Sequence, residues 1–203
     1  MDDPGLDRPN VGLRITTAFA ARNAIMPLSL SEFLDAMDRH SERVPLDVLV
    51  AGMKNLRFEF DEIERFVKFG ETTYRRNLMH AGSAFQALIL CWRSGHRSPI
   101  HDHRGSSCGV RVIKGVVTET VFERNPDGLV YPTVTRELGE GLVCGSQDAD
   151  IHQVSNLQPS GADLITLHVY SPPLLKMGTY SLTDTKVGEF CDPVFEFADG
   201  GGI

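Results

Sequence analysis

Three short stretches near the start of the chain carry apolar residues at helical spacing. Leu30, Phe33, Leu34 and Met37 recur at intervals of three and four, and Ser29 with Glu32 fits a capping box, so a first helix is predicted there. Leu46, Leu49, Val50 and Met53 form a second stripe, opened by Pro45, a residue suited to a first helical turn. Phe60, Ile63, Phe66 and Val67 predict a third helix, stopped by Gly70. From about residue 73 the texture changes to short strands. "FQALILCW" (85–92) is a buried apolar run, and "CGVRVIKGVVTETVFER" (108–124) reads as two strands joined at Lys114–Gly115. "ADLITLHVYSPP" (162–173) is a strand closed by prolines, and "KMGTYSLTDTKVG" (176–188) is a further turn-rich pair. Short strands punctuated by Gly, Pro and Asp predict a mainly β fold, a sandwich or small barrel of the jelly-roll kind. The expected organisation is a flexible arm over 1–27, a helical cap over 28–72 and a barrel over 73–203, together one domain.

Composition narrows the function classes. With 203 residues, 41% hydrophobic and 23% charged, the chain can bury a sizeable core. A net charge of −7 without a dense basic run argues against nucleic acid and anionic membranes as partners. No apolar stretch approaches the roughly 20 residues of a membrane span. The opening "MDDPGLDRPN" is acidic and proline-containing, wrong for a secretory leader. Four cysteines in a chain of this size are not a disulfide framework. The expectation is a cytoplasmic protein with reduced thiols, acting as a monomer.

The candidate chemistry sits in "SPIHDHRGSSCGV" (98–110). His101 and His103 are two apart, so on a strand they share a face and could share a metal ion. Taken alone, Cys108 could be a third ligand, a nucleophile, half of a disulfide or a small core residue. His40, His80 and His96 lack such context and read as surface or structural residues. Arg75 and Arg76 alone read as a solvated basic pair.

The spacing Gly95, His101, His103, Cys108, Gly115 resembles the first metal motif of the cupin superfamily, with cysteine where that motif normally has glutamate. His152 and Asn156, separated by three residues, resemble the second motif and supply a third histidine. Three neutral imidazoles would leave the ion's charge uncompensated and coordination positions open, resembling the open-sided facial triad of non-haem Fe(II) oxygenases with histidine replacing the carboxylate. A thiolate substrate could supply the missing negative charge.

The stretches "ILCWRSGHRSPIHDHRGSSCGVRVIKGVVTETVFE" and "TLHVYSPP" are similar to the cysteine dioxygenases, the cupin-fold thiol dioxygenases, in their Arg-type bacterial form. The resemblance runs from about Tyr74 to Pro173. It implies a cupin-type jelly-roll β-barrel with a small N-terminal helical cap, and Fe(II) held by His101, His103 and His152. It places Arg76 on the substrate carboxylate with Tyr74 beside it. Thr166, His168 and Tyr170 alternate on one face of "TLHVY" and match the family's Ser-His-Tyr series, with threonine for serine. Cys108 matches the family cysteine joined to a tyrosine, here Tyr170, by a thioether. Ser171–Pro172 matches a cis peptide. The implied reaction is oxidation of L-cysteine by O2 to cysteine sulfinate, a step of cysteine catabolism. The nearest rival substrate is 3-mercaptopropionate. Relatives specialised for it usually carry glutamine in place of the arginine, so Arg76 favours cysteine. The rival class is a metal-binding cupin without oxidative function. Cys91 and Trp92 read as core, and Cys144 and Cys191 match nothing catalytic.

Overall fold

A computed structural model describes residues 26–191 and 193–196, so the arm expected over 1–27 lies almost wholly outside the described residues. The first helix, α1 (Leu30–Asp38), opens as expected. Ser29 Oγ accepts from the Glu32 N–H, and the Glu32 carboxylate accepts from the Ser29 N–H, a reciprocal cap. Helix α2 spans Leu46–Asn55, with Pro45 at its N-cap rather than inside the first turn. The third stretch departs from expectation. Only Asp61–Glu64 is α-helical (α3). Around it the chain is held by bonds three residues apart: Glu62 N–H to Glu59, Ile63 to Phe60, Phe66 to Ile63 and Val67 to Glu64. Such tight turns place apolar side chains every third residue, which mimics a longer helix in the sequence pattern.

Among the described residues two six-stranded sheets follow. The first contains β1 (Arg75–Ala81), β2 (Gln86–Trp92), β4 (Ser107–Lys114), β7 (Val143–Gln147), β9 (Leu164–Ser171) and β12 (Val194–Phe195), in the order β12-β1-β2-β9-β4-β7. The second contains β3 (Ile100–His101), β5 (Val117–Arg124), β6 (Val130–Leu138), β8 (Ile151–Ser155), β10 (Met177–Tyr180) and β11 (Gly188–Phe190), in the order β11-β10-β3-β8-β5-β6. The "CGVRVIKGVVTETVFER" segment does form two strands, but β4 and β5 belong to different sheets. The chain therefore crosses the barrel there instead of turning back on itself. The jelly-roll architecture is the one expected.

Strands β2 and β9 lie side by side in the first sheet and are buried along their full lengths. Their alternation sorts side chains to two cores. Ala87, Ile89, Cys91, Ile165, Leu167 and Val169 pack against Phe33, Leu49 and Met53 of the helices. Leu88, Leu90, Trp92, Leu164 and Tyr170 face the barrel interior with Cys108 and Val110. Helix α2 lies close over β4 and β7 because Gly109 and Gly145 sit beneath it. A methyl group at Gly109 would run into Met53 and Leu49, and one at Gly145 into Val50 and Leu46. No helix among the described residues is long and apolar enough to cross a membrane.

Candidate metal centre

The second sheet supplies the histidines. His101 ends β3 and stands directly opposite His152 of β8 in the antiparallel register. His103 follows two residues later, its N–H bonded to the Asp148 carbonyl at 3.0 Å. All three rings are buried, with centroids 4.7, 4.8 and 5.4 Å apart. One ring nitrogen from each lies within 4.8 Å of the others.

The hydrogen bonding shows that this cluster fits a metal ion. His101 Nδ1 lies 3.0 Å from the Pro99 carbonyl and His152 Nδ1 lies 2.8 Å from Glu119, so both Nε2 atoms are left for another partner. His103 Nδ1 is buried with no hydrogen-bond partner among the described residues, and its Nε2 makes only a 3.5 Å contact to Ser146. Buried polar atoms are rarely left this way without a ligand. Burial, reinforced by the neighbouring His152, pushes His101 down to about 3, and burial lowers His103 as well. Neutral imidazole is the form a metal requires.

Glu119, on β5, was not singled out by sequence reasoning. It is 3% exposed and bonds His152 Nδ1 on one side at 2.8 Å and two nitrogens of Arg136 on the other at 2.6 and 2.7 Å. Burial alone would raise its carboxyl, but the His152 and Arg136 contacts outweigh that and lower it, so it stays ionised. A carboxylate behind a ligating imidazole fixes ring orientation and raises ligand basicity. The available signal was a glutamate at an inward position of an alternating strand.

The first sheet supplies the opposite wall. Arg76 on β1 is 2% exposed, with its guanidinium 5.4 Å from the Tyr170 ring centroid and one nitrogen 3.4 Å from the Leu174 carbonyl. The solvated reading of Arg76 is therefore excluded. Tyr74 stacks on Trp92 at 4.2 Å. On β9, His168 Nδ1 lies 3.0 Å from the Tyr170 hydroxyl and His168 Nε2 lies 3.0 Å from the Thr166 hydroxyl. The added methyl of threonine does not break the series. Burial, and then the nearby Arg76 charge, hold His168 well below its usual range. Cys108 on β4 is paired in register with Tyr170 across the strands. Burial pushes its thiol well up, which favours the protonated thiol over the thiolate. Tyr74, Arg76, Trp92, His101, His168 and Tyr170, with His152, line one tightly packed pocket between the sheets. His103 borders it through Tyr170, with ring centroids 6.4 Å apart.

The remaining candidates lie elsewhere. His80 bonds Asp38 near the surface, and His96 accepts from the Arg93 N–H. Cys91 is buried on the helix side of β2, Cys144 is half-buried and Cys191 is exposed; all four thiols are free. The Ser171–Pro172 peptide is cis, as expected.

A two-sheet jelly roll enclosing three convergent histidines defines a metal-binding cupin. Within that class, the family model described as Cysteine dioxygenase type I matches residues 21–183. Cysteine dioxygenase type 1 of Danio rerio is 34% identical over 121 residues, which span 57% of this chain and 60% of that protein. The Bos taurus protein of the same name is 28% identical over 186 residues, 88% of this chain and 90% of that one. Among solved structures, a cupin superfamily protein from Desulfitobacterium hafniense DCB-2 is 11% identical with a TM-score of 0.41, over 52% of this chain and 83% of that one. The chain belongs to the cysteine dioxygenase type I family, and its three buried histidines are grouped so that they could hold a metal ion.

Proposed function

We propose that the protein oxidises the thiol of L-cysteine to cysteine sulfinate, consuming one O2 whose two atoms both end on sulfur. Sulfur loses four electrons and O2 gains four, so no external reductant is needed. The observation that supports this reading best is the placing of a buried three-histidine cluster beside a buried arginine, with His101, His152 and Arg76 lining the same pocket. His101, His103 and His152 would hold Fe(II), which when bound supplies the electron exchange with O2 that a free thiol performs poorly.

The chain's own residues do the rest. Arg76 brings a buried cation to the pocket, where a planar fork suits the substrate carboxylate better than an ammonium would. Tyr74, stacked on Trp92, forms the wall next to it. Tyr170, held by His168 and through it by Thr166, aims a phenol at the bound thiol and oxygen. Cys108 is the cross-strand neighbour of Tyr170, and such pairs have Cβ atoms roughly 5 Å apart. That supports a thioether between them: a new C–S bond forms, the S–H and one ring hydrogen leave, and O2 takes the two electrons. The link would fix the phenol beside the metal. The free thiols suit a cytoplasmic role in cysteine catabolism, with residues 28–72 capping the barrel that begins at residue 73.

Oxygen uptake by the Fe(II)-loaded protein tests the reading, with L-cysteine, 3-mercaptopropionate or cysteamine supplied and each sulfinate quantified. Uptake matched one-to-one by cysteine sulfinate is expected. A clear preference for 3-mercaptopropionate would move the substrate and remove the argument from Arg76. Metal bound without sulfinate from any thiol would leave a non-oxidative cupin.

A further inference from the structure

The hydrogen-bonded series on β9 does not end at Thr166. The Trp92 indole N–H, from the neighbouring strand β2, donates to the Thr166 hydroxyl at 3.0 Å, and both groups are buried. Trp92, read from the sequence as core, is therefore joined to Tyr170 through two intervening side chains. The direction of this chain follows from counting protons. An indole N–H can only donate, and a hydroxyl carries one proton. Among the described residues the Thr166 hydroxyl meets only Trp92 and His168. With Trp92 donating to it, the Thr166 proton has His168 Nε2 as its one acceptor. Neutral His168 then carries its single proton on Nδ1 and donates to the Tyr170 oxygen. The reverse arrangement would point two donors at the Thr166 oxygen and leave the threonine proton buried without an acceptor, which disfavours it by about tenfold or more.

We propose that Trp92 is a positioning residue that sets the direction of the chain Trp92–Thr166–His168–Tyr170, so that Tyr170 faces the metal cavity as a hydrogen-bond donor. A tyrosine bonded the other way would spend its proton on His168 and offer the cavity only lone pairs. The value of this to catalysis rests on the thiol-oxidation reading above; the direction itself does not.

Long-range proton–nitrogen NMR on the full-length, 15N-labelled protein, loaded with diamagnetic Zn(II), reads the tautomer directly. His168 is assigned by the signal lost in His168→Gln. The wild type is expected to show protonated Nδ1 and unprotonated Nε2. Thr166→Ser keeps that pattern, whereas Thr166→Val and Trp92→Phe give a mixed or reversed one. The Fe(II)-loaded Trp92→Phe enzyme should turn over L-cysteine about tenfold more slowly, with KM little changed. An Nε2–H tautomer in the wild type overturns the proposal. So does a Thr166→Val protein that keeps Nδ1–H, a result that stands even if Trp92→Phe does not fold. Absence of thiol oxidation by the wild type would sink the functional reading while leaving the tautomer result intact.

Discussion

Strand β9 is buried along all eight of its residues, yet its two faces are built on different rules. On the helix side Ile165, Leu167 and Val169 fill space against Phe33, Leu49 and Met53. On the cavity side Thr166, His168 and Tyr170 form a hydrogen-bonded line, and each polar atom needs its partner. The first face tolerates any side chain of the right volume at modest cost. On the second, removing one atom strands another. Stability is concentrated on one side of the strand and chemistry on the other.

The comparison is broken most severely across the cavity, at Arg76. In Arg76→Gln the substrate carboxylate loses its buried cation, and losses of this type cost about 2–5 kcal/mol. The kcat/KM for L-cysteine should fall by roughly 10²–10³-fold, mainly through KM, while iron content stays near wild type. Equal loss of activity and iron would mean that Arg76 holds the fold rather than the substrate. On the helix face, Leu167→Ala should lower unfolding free energy by about 2–4 kcal/mol in urea melts. Activity per folded, iron-loaded molecule should remain within about twofold. A comparable loss of turnover would show that the two faces are not separable.

Behind the histidines, Glu119→Gln keeps a hydrogen-bond acceptor for His152 but removes the charge. Metal affinity measured by chelator competition should drop by about 10–100-fold. Unchanged affinity would reduce Glu119 to an ordinary buried ion pair. The smallest effect sharpens the contrast between two buried cysteines. Cys108 faces Tyr170 and Cys91 faces the helices. Intact mass should show a loss of two hydrogens after exposure to iron, O2 and cysteine. The loss should vanish in Cys108→Ala and in Tyr170→Phe, and persist in Cys91→Ala.

What could be read from the chain depended on how locally each feature is encoded. The cap of α1 is visible because Ser29 and Glu32 satisfy each other within one turn. The third helix was overread because turns with bonds three residues apart repeat apolar side chains much as a helix does. Strand β6 had no sequence expectation. Its side chains are nearly all exposed, so it lacks the alternation that marks a strand, and Pro132 sits at its bulge. Within the site, the His101–His103 pair announces itself by period two. His152 and Arg76 were legible only through the resemblance. The contacts of Glu119 and Trp92 were invisible, because each partner arrives through cross-strand register: Val121 of β5 pairs with His152, and Leu90 of β2 with Thr166.

The central claim is that three histidines and one arginine place a cysteine thiol where O2 can add to it. Turnover under 18O2 tests this most directly, with the cysteine sulfinate analysed by mass and His103→Ala run in parallel. The account predicts that both sulfinate oxygens carry the label in the wild-type product, and that His103→Ala, having lost its iron, forms none. A product with one labelled oxygen, or equal sulfinate formation by His103→Ala, would contradict it.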